Sequence, residues 1–532
     1  MKNKSILFIV LLFVIAIVSF GCSSDGDEEA ETSGEAEDTE ATEETASAGG
    51  ELSVAFYQQP PSMDPHMSTS AATGMITRHI FEGLVALDEN YESVPMLAES
   101  IDESDDGLTY TFNLREDVTF HNGKEMIAED VVASMERWME KNTSADLIYS
   151  GSEWVEEDDH TVSLVLEKPA TGVIDALAPL LQSPAIMPLE VIEEADDTGV
   201  VEFVGTGPFQ FEEWVQDQRI HISKFDDYAP VDSEPSGLAG KKEALLDDIY
   251  FEIVTDASTR LAGMNSGEYD VAYSMPNDSF DQLKADDSII TYEAPAGHLY
   301  LIFNKKEGLF ADEKMRQAVN AALDIDEILL AAYTTDELYE LDHGYMSKHS
   351  ANWYSESGEE FYNQADEEKA KELLEEAGYD GEEFTLLTSA DVPQIYNAAV
   401  VIQEQMNQIG VNVTLENTDW ATVSENREDP SKWGFYVNNV PDVNVPAQIL
   451  PLGTTWAGWA DDEKLVGLHT DIVEADSAEE AKDIWSELQE YAWGEYMPAA
   501  KIGNYFSFEV TSDEVEGASV FHSLVLWNTT KK

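Results

Sequence analysis

Hydrophobic and polar positions divide the chain after residue 50 into short segments with two different periods. Segments such as 107–114 and 161–166 alternate apolar and polar side chains, which predicts half-buried β-strands. Segments such as 71–84 and 128–138 repeat apolar side chains every three or four positions, which predicts amphipathic helices. Further strands are predicted at 51–60, 219–223, 248–254 and 269–272, and further helices at 258–267, 313–322, 367–377 and 395–409.

Two glycines mark the ends of predicted helices. Gly378 and Gly410 each follow directly on a helical pattern, as expected where the chain must leave a helix. A predicted strand comes next in both cases, at 384–387 and at 411–415. Because strands and helices mix along the whole chain, the class is α/β or α+β.

The N-terminal residues have the features of a secretory signal. Lys2 and Lys4 precede thirteen unbroken apolar residues at 6–18, and small residues lie near the end of the region. The apolar run is shorter than the roughly 20 residues that cross a bilayer. Cys22 ends this region and is the only cysteine in the chain, so it has no partner for an intramolecular disulfide. An uncleaved anchor and an ordinary cleaved signal both remain open.

The position of Cys22 resembles the lipid-attachment site of bacterial lipoproteins. In that resemblance residues 1–21 are the signal peptide, and Cys22 receives the lipid and becomes the mature N-terminus. Lipoprotein signals usually carry Leu three residues before the cysteine, whereas this chain has Ser19 there. The resemblance implies attachment to the extracellular face of the cell membrane through acyl chains, at about 0.8 kcal/mol per buried CH₂.

Acidic residues dominate the charge of the chain, which is −80 from 108 acids and 28 bases among 532 residues. Residues 23–50 hold eleven Asp and Glu and no Lys or Arg, which predicts a disordered tether at 22–50. Without the tether and the signal, 97 acids still outnumber 26 bases, leaving about −71 on the folded part. This charge excludes nucleic acid as a partner, because phosphate contacts need clustered Lys and Arg.

Four stretches of sequence, in their order, resemble the extracytoplasmic solute-binding proteins of ABC importers, in the peptide- and nickel-binding family (family 5). The first runs from IFEGLVALDENYESVPMLAES into DGLTYTFNLREDVTFHNGKEMIAEDVVASMERW, and the second contains GTGPFQFEEW and the later FDDY. The third is FNKKEGLFADEKMRQAVNAALDIDEIL, and the fourth joins EKAKELLEEAGYD to IQEQMNQIGVNVTLENTDW. Single pieces are weak signals, but the ordered set extends from about Glu51 to the C-terminus.

The resemblance implies an α/β fold of two lobes that enclose a ligand. This is the type II periplasmic-binding-protein-like fold, with an extra domain in lobe one. The expected boundaries are 51–297 plus 506–532 for lobe one, about 90–192 for the extra domain, and 298–505 for lobe two. Two crossing segments, near 299–304 and 502–507, are expected to form the hinge.

The function implied by the resemblance is that of a lipid-anchored receptor. It would capture a peptide or peptide-like solute by lobe closure and pass it to ABC permease subunits with their ATPases. We expect a monomer without a cofactor, a metal or a catalytic step. The alternatives are an oligosaccharide receptor of the same fold and, less favoured, an extracellular hydrolase. No HExxH, CxxC or Gly-x-Ser-x-Gly motif occurs, which argues against a zinc site and a nucleophilic hydrolase.

Asp442 is the first candidate for ligand binding. Relatives that bind dipeptides hold the amino terminus of the ligand with an aspartate in a DP-type loop, which corresponds here to 434–443. Asp442 takes the place of that aspartate, Asn439 lies in the same stretch, and Val443 replaces the proline. A carboxylate in a dry cleft suits an ammonium group, because charge-assisted hydrogen bonds are roughly twice as strong as neutral ones. A solvated loop acid is the alternative.

Gln394 and Tyr396 are the next candidates. In some dipeptide-binding relatives an arginine just before a tyrosine pairs with the carboxylate of the ligand. This chain keeps the tyrosine as Tyr396, but no arginine precedes it. Gln394 can form a hydrogen bond to a ligand without neutralising its charge. The departure argues against a free dipeptide as the obvious ligand and leaves longer peptides or another solute open.

Aromatic residues complete the set of candidates, since they offer large contact areas at low entropic cost. Trp420, Trp433, Trp456 and Trp459 fall in segments that border the cleft in relatives, and core packing is the alternative for each. Trp456 is the strongest of the four because it lies in a short, turn-like stretch. Tyr57 occupies the loop after the first strand, which touches the ligand in relatives.

The even spread of acids along the chain favours adaptation to a saline medium over attraction of cationic ligands. We predict that the melting temperature rises steeply between dilute buffer and about 1 M NaCl, where the Debye length falls to about 3 Å and repulsion between acids is screened. Thermal unfolding followed by circular dichroism at a series of NaCl concentrations measures this. A melting temperature that stays constant across the series would contradict it.

Overall fold

The computed structural model describes residues 49–142, 146–350, 352–475 and 477–532. The predicted signal, Cys22 and nearly all of the predicted tether lie outside these residues. The described strands are β1 Glu51–Phe56, β2 Val85–Leu87, β3 Ser93–Pro95, β4 Ala98–Glu103, β5 Thr109–Leu114, β6 Glu153–Asp158, β7 Thr161–Val165, β8 Phe209–Val215, β9 Arg219–Lys224, β10 Asp248–Ile253, β11 Val271–Ala272, β12 Ile289–Phe303, β13 Tyr339–Glu340, β14 Glu383–Thr388, β15 Asn412–Asn417, β16 Phe435–Val440, β17 Ala499–Ser512, β18 Val515–Glu516, β19 Ser519–Val520, β20 Leu524–Val525 and β21 Thr530–Lys531.

The described α-helices are α1 Ala71–Thr77, α2 Ala128–Lys141, α3 Asp146–Tyr149, α4 Leu189–Glu193, α5 Ala257–Ser266, α6 Phe280–Lys284, α7 Glu313–Ala322, α8 Ile325–Tyr333, α9 Glu367–Glu376, α10 Pro393–Gln408, α11 Trp420–Asn426, α12 Glu463–Val473 and α13 Ala478–Tyr491. In this part of the chain, none of the helices combines the length and the apolar character that crossing a membrane requires.

Aspartate side chains begin six of the described helices. In each, the carboxylate of the residue before the helix accepts a hydrogen bond from a main-chain N–H of the first turn, which would otherwise lack a partner. These residues are Asp256 at α5, Asp312 at α7, Asp324 at α8, Asp366 at α9, Asp419 at α11 and Asp462 at α12. Part of the large excess of acids is therefore used to define where helices start.

Eleven of the described strands form one large sheet. Its order is β15-β14-β16-β12-β17-β11-β1-β10-β9-β8, with β13 attached to β17. β1 pairs in parallel with β10 and β11, and β14 pairs in parallel with β15 and β16. At the centre, β12 and β17 pair antiparallel from Ile289 opposite Ser512 to Ile302 opposite Ala499. A separate sheet, β4-β5-β7-β6, lies within the range expected for the extra domain.

Two separate clusters of buried hydrophobic side chains form the cores. One cluster packs around β1, β8, β9 and β10 and includes Trp138 and the C-terminal Trp527. The other packs around β14, β16 and the paired halves of β12 and β17, and includes Trp485 and Trp493. The expected two-lobed α/β architecture is confirmed. The lobe boundaries given by residue number stay a prediction.

The β12–β17 pair connects the two lobes. Its register shifts between Pro295 and Gly297, which interrupts the regular ladder. Gly297 has a φ of +140°, and a Cβ atom there would lie 2.2 Å from the carbonyl oxygen of Val440, so only glycine fits. The crossing segments expected at 299–304 and 502–507 lie almost entirely in these two strands. The expected hinge of two crossing segments is therefore confirmed.

The first helix is shorter than the sequence predicts. α1 ends at Thr77, whereas the spacing of the apolar residues predicted a helix about two turns longer. The carbonyl oxygens of His79 and Ile80 accept hydrogen bonds from the N–H groups of Phe209 and Gly207, at 3.0 and 2.9 Å. A continued helix would need those carbonyls for its own ladder, so tertiary pairing ends the helix early.

Gly205 lies two residues before Gly207 and packs against the same turn at Ile80. A Cβ atom at Gly205 would lie 2.1 Å from the carbonyl oxygen of Ile80. We predict that Gly205→Ala lowers the free energy of unfolding by about 1–3 kcal/mol, because the packed backbone must shift. The matched control is Gly467→Ala in α12, where no atom lies within 4 Å of the added Cβ.

The control variant is expected to gain up to about 1 kcal/mol of stability, as alanine replaces glycine inside a helix. Denaturant titration of both variants measures the difference. Equal midpoints for the two variants would contradict the close approach at Gly205.

Candidate functional site

A cavity of about 290 Å³ lies where β12 and β17 cross between the two lobes. Its volume is at the lower end of the ~300–1,000 Å³ range of small-molecule sites. Within the described residues, no group of three or more His, Cys, Asp or Glu side chains is arranged to hold a metal ion. The polar and aromatic side chains that line the cavity include Tyr57, Arg78, Tyr333, Gln394, Asn439, Asp442, Tyr505, Phe506, Glu509 and His522.

Asp442 lies two residues after β16 and is only 6% exposed. Its Oδ1 is 2.7 Å from Nε2 of His298, and its Oδ2 is 3.9 Å from Nδ1 of His522. Burial alone would raise the pKa of Asp442, but the charge of His298 and its hydrogen bond hold that pKa well below the usual range. Asp442 is therefore an ionised carboxylate. Its Oδ2 forms no hydrogen bond within the described residues and remains available to a ligand.

His298 connects Asp442 to a buried polar network. Nδ1 of His298 lies 2.8 Å from Oδ1 of Asn504, and Nδ2 of Asn504 donates to Oδ2 of Asp342 at 2.8 Å. Nζ of Lys501 donates to the same Asp342 oxygen at 3.3 Å. Because the Asn504 nitrogen faces a carboxylate, its oxygen must accept from Nδ1 of His298. Both ring nitrogens of His298 therefore donate, and the resulting imidazolium balances the charge of Asp442.

Tyr57, Asn439 and Gln394 line the cavity together with Asp442, so four of the seven predicted ligand-binding side chains meet there. Tyr57 directly follows β1, and burial raises the pKa of its phenol far above the usual range, which keeps it protonated. Oδ1 of Asn439 accepts a hydrogen bond of 3.2 Å from the hydroxyl of Tyr333. Gln394 is the second residue of α10.

Three predicted ligand-binding residues do not line the cavity. Tyr396 follows Gln394 by two positions in α10, and two residues turn a helix by about 200°, so the two side chains face opposite ways. Trp456 packs on the ring of Tyr436, at 6.1 Å between ring centroids, and on the core of lobe two. Trp420 begins α11 and packs on the same core. For both tryptophans the structure gives the packing role that the sequence left as the alternative.

Arg78, Glu509 and His522 line the cavity although the sequence analysis did not select them. Burial raises the pKa of Glu509 to about 8. The hydrogen bond from the N–H group of Leu524 and the charge of Arg78 lower this pKa, but their effect is smaller than that of burial. Burial lowers the pKa of His522 to about 4, and its Nε2 has no hydrogen-bond partner. A lone arginine inside an apolar segment of so acidic a chain was the available signal for Arg78. No local pattern marks the other two, because long-range pairing of the C-terminal segment places them.

Hydrogen bonds also join the two lobes beside the cavity. The hydroxyl of Thr171 donates to the carbonyl of Ile472 at 2.6 Å, and the N–H of Thr171 donates to the carbonyl of Val473 at 2.9 Å. The side-chain amide of Asn444 donates to the carbonyl of Ala178. These bonds connect the range expected for the extra domain with the range expected for lobe two.

Comparison with known proteins bears out the resemblance. The family described as "Bacterial extracellular solute-binding proteins, family 5 Middle" matches residues 92–459. The "Probable peptide ABC transporter periplasmic-binding protein y4tO" of Sinorhizobium fredii is 26% identical over 487 residues, which cover 88% of this chain and 91% of the relative. The oligopeptide-binding protein AppA of Bacillus subtilis is 27% identical over 457 residues, which cover 82% of this chain and 80% of AppA.

A solved structure is similar over the same extent. The structure of the binding protein AgaA from A. tumefaciens R10, in complex with agropinic acid, is 25% identical and has a TM-score of 0.74. The match covers 91% of this chain and 99% of AgaA. The expected two-lobed fold is thus also the fold of a solved binding protein.

The pairing of Asp442 with His298 makes a prediction for stability. Asp442→Asn leaves a charged ring buried without its counter-charge, so we expect the free energy of unfolding at pH 7 to fall by about 3–5 kcal/mol. The double variant Asp442→Asn/His298→Gln is expected to lose at least about 1 kcal/mol less than the sum of the two single variants. Because the pKa of Asp442 is lowered by folding, its contribution is present above about pH 4 and is lost as the pH falls towards the folded value.

Denaturant titrations of the wild type, both single variants and the double variant measure this cycle. The matched control is Asp380→Asn, which removes an exposed acid of lobe two and is expected to change stability by less than about 0.5 kcal/mol. Strict additivity of the two single effects would contradict the pair.

Proposed function

Because the chain belongs to the bacterial extracellular solute-binding proteins of family 5, we propose that it captures a short peptide or peptide-like solute for an ABC importer. The cavity between the lobes, with the open oxygen of Asp442 on its wall, is the observation that carries this proposal. The names of the relatives support the solute class, since y4tO is named for peptide transport and AppA for oligopeptide binding. The solute leaves the receptor chemically unchanged.

The size of the cavity limits the solute. The volume of about 290 Å³ lies at the lower end of the range of small-molecule sites. A space of this size class suits a small solute such as a short peptide. Short peptides and amino-acid derivatives of similar size are therefore the proposed solutes.

Asp442 is the proposed partner of the ammonium group of the solute. Its Oδ1 is already bonded to His298, which fixes the orientation of the carboxylate, and its Oδ2 remains open. A hydrogen bond to a charged group contributes about 1.5–3 kcal/mol. Asn439 and Gln394 supply neutral polar groups on the same side of the cavity, and Tyr57 supplies a phenol from lobe one.

Closure of the lobes couples solute capture to transport. A solute that contacts both lobes binds the closed form better than the open form and shifts the population towards closure. Micromolar affinity requires about −8 kcal/mol in total. Burial of the solute against the aromatic rings of Tyr505 and Phe506, together with the bond to Asp442, supplies contacts of the required kind.

An oligosaccharide is the less favoured solute. Sugar sites rely on flat aromatic faces. The tryptophans in segments that border the cleft in relatives are Trp420, Trp433, Trp456 and Trp459. No tryptophan is among the described residues that line the cavity. A carboxylate paired with an imidazolium suits an ammonium group better than a ring of hydroxyls.

The N-terminal region completes the proposed receptor. Lipidation of Cys22 would anchor the protein to the extracellular face of the cell membrane, with the acidic segment 22–50 as a tether. The partners are then two permease subunits with their ATPases, and the receptor acts as a monomer. This part of the proposal rests on the sequence of the signal, which lies outside the described residues.

The proposed solute class is tested by native mass spectrometry with one pool of short peptides and one pool of oligosaccharides. We predict that peptides remain bound and intact, and that N-acetylation of the same peptides weakens binding at least about tenfold, because it removes the ammonium group that Asp442 holds. Asp442→Asn is expected to remove the preference for free amino groups. Asp380→Asn, which removes an equally charged but exposed acid, is expected to retain it.

Three results would contradict the proposal. Capture of oligosaccharides alone would establish the rival solute class, and recovery of cleaved peptides would establish a hydrolase. Equal binding of free and acetylated peptides would remove Asp442 from the proposed role. Melting temperatures of both variants, measured in parallel, separate loss of binding from loss of folding.

A further inference from the structure

Arg78 is a cation of the cavity wall with few partners. It follows the last residue of α1, where its Nε donates to the carbonyl of Gly74 and its Nη1 donates to the carbonyl of Phe521, both at 3.2 Å. A guanidinium has five N–H donors, and both partners of Arg78 are neutral. Its Nη2 forms no hydrogen bond within the described residues, and the side chain lines the cavity.

The other six arginines of the chain, all in described residues, each have either a carboxylate partner or at least three hydrogen bonds. Arg260 and Arg316 form no ion pair, but they donate three and five hydrogen bonds to main-chain carbonyls. The remaining four each pair with a carboxylate and are Arg115, Arg137, Arg219 and Arg427. Within the described residues, Arg78 is therefore the one arginine that has neither a carboxylate partner nor more than two hydrogen bonds, in a chain where acids are abundant.

The acids of the cavity do not neutralise Arg78. Asp442 is matched by His298 at 2.7 Å. Glu509 forms no ion pair with Arg78, and its raised pKa of about 8 keeps it protonated at neutral pH. A half-buried guanidinium without a counter-charge carries a desolvation cost, so the cavity favours a solute that brings an anion to Arg78.

We propose that Arg78 binds a carboxylate of the solute. Its planar fork matches the two oxygens of a carboxylate, and such charge-assisted bonds are short and strong. The inference rests on the proposed function and adds to it the class of solute, which is a short zwitterionic peptide or amino-acid derivative. It also gives the carboxylate of the solute a partner although no arginine precedes Tyr396, because Arg78 in lobe one takes the role of that cation.

The placement of the two charged contacts explains how such a solute would favour closure. Arg78 belongs to the segment after α1 in lobe one, whereas Asp442 follows β16 in lobe two. A solute with an ammonium group on Asp442 and a carboxylate on Arg78 is held by both lobes at once. Neither contact alone distinguishes the closed form from the open form in this way.

Glu509 makes carboxylate binding depend on pH. The charged and titratable side chains that act on it are Arg78, Tyr57 and Tyr273, and both phenols stay protonated because burial raises their pKa values. Above about pH 8 Glu509 ionises and becomes a second carboxylate on the cavity wall, which repels the carboxylate of the solute. Below that pH it is neutral, and Arg78 is free to bind. Preference for a carboxylate is therefore expected to fall as the pH rises through about 8.

The test uses tripeptides of the form Ala-Xaa-Ala, prepared once as free acids and once as C-terminal amides, in competition experiments read by native mass spectrometry. We predict that the wild type prefers the free acids at least about tenfold at pH 7, in keeping with a charge-assisted bond. Arg78→Gln is expected to bind both forms equally, with the affinity for the amides retained. Arg115→Gln, which removes an ion-paired arginine that does not line the cavity, is the matched control and keeps the preference.

The pH dependence of the preference is a second test, and it stays valid even if the variant Arg78→Gln does not fold. The wild type is expected to lose most of its preference between pH 7 and pH 9, whereas Glu509→Gln, which still accepts the N–H of Leu524, keeps it. Equal binding of acids and amides by the wild type would overturn the role of Arg78 while the proposed function stands. Binding of neither form would overturn the proposed function itself. A preference that Glu509→Gln loses at high pH would overturn the coupling to Glu509.

Discussion

The antiparallel pairing of β12 with β17 is the interaction on which the two-lobed structure depends. One cluster of buried side chains packs against both ends of this pair, at Leu299 to Phe303 and at Phe508 and Val510, and the ladder is interrupted between Pro295 and Gly297 and again between Leu299 and Tyr300. The same strands carry His298, Asn504 and Glu509, so the element that joins the lobes also positions the charged groups of the cavity.

Charge is distributed differently at the surface and in the cavity. At the surface, aspartates cap helices and remain solvated, where each exposed charge has little energetic effect. Inside, the cations of His298 and Lys501 are matched by Asp442 and Asp342, because unpaired ions are costly away from water. On the cavity wall Arg78 has no carboxylate partner, and this gives the cavity its proposed chemical preference. A net charge of −80 thus coexists with a local site for an anion.

The sequence predicted the fold and selected some of the side chains that line the cavity, and the division has physical reasons. Asp442 and Asn439 were selected by their position in the stretch that the family resemblance identifies, and both line the cavity. Tyr396 does not line it, because the phase of α10 brings Gln394 to the cavity instead. Arg78 carried a local signal as a lone arginine in an apolar segment, but its place on the cavity wall depends on the end of α1, which is set by hydrogen bonds from a distant part of the chain.

The hydrogen bonds of Thr171 and Asn444 across the lobes have a kinetic consequence. They involve no atom of the solute, so they stabilise the closed form whether it is loaded or empty. A bound solute departs only after they break, which lengthens its residence time without making the receptor more selective. Empty molecules that shut spontaneously would present the membrane transporter with the same outline as loaded ones. The transporter would then have to distinguish loaded from empty receptors by how readily the lobes reopen, rather than by the position of the lobes.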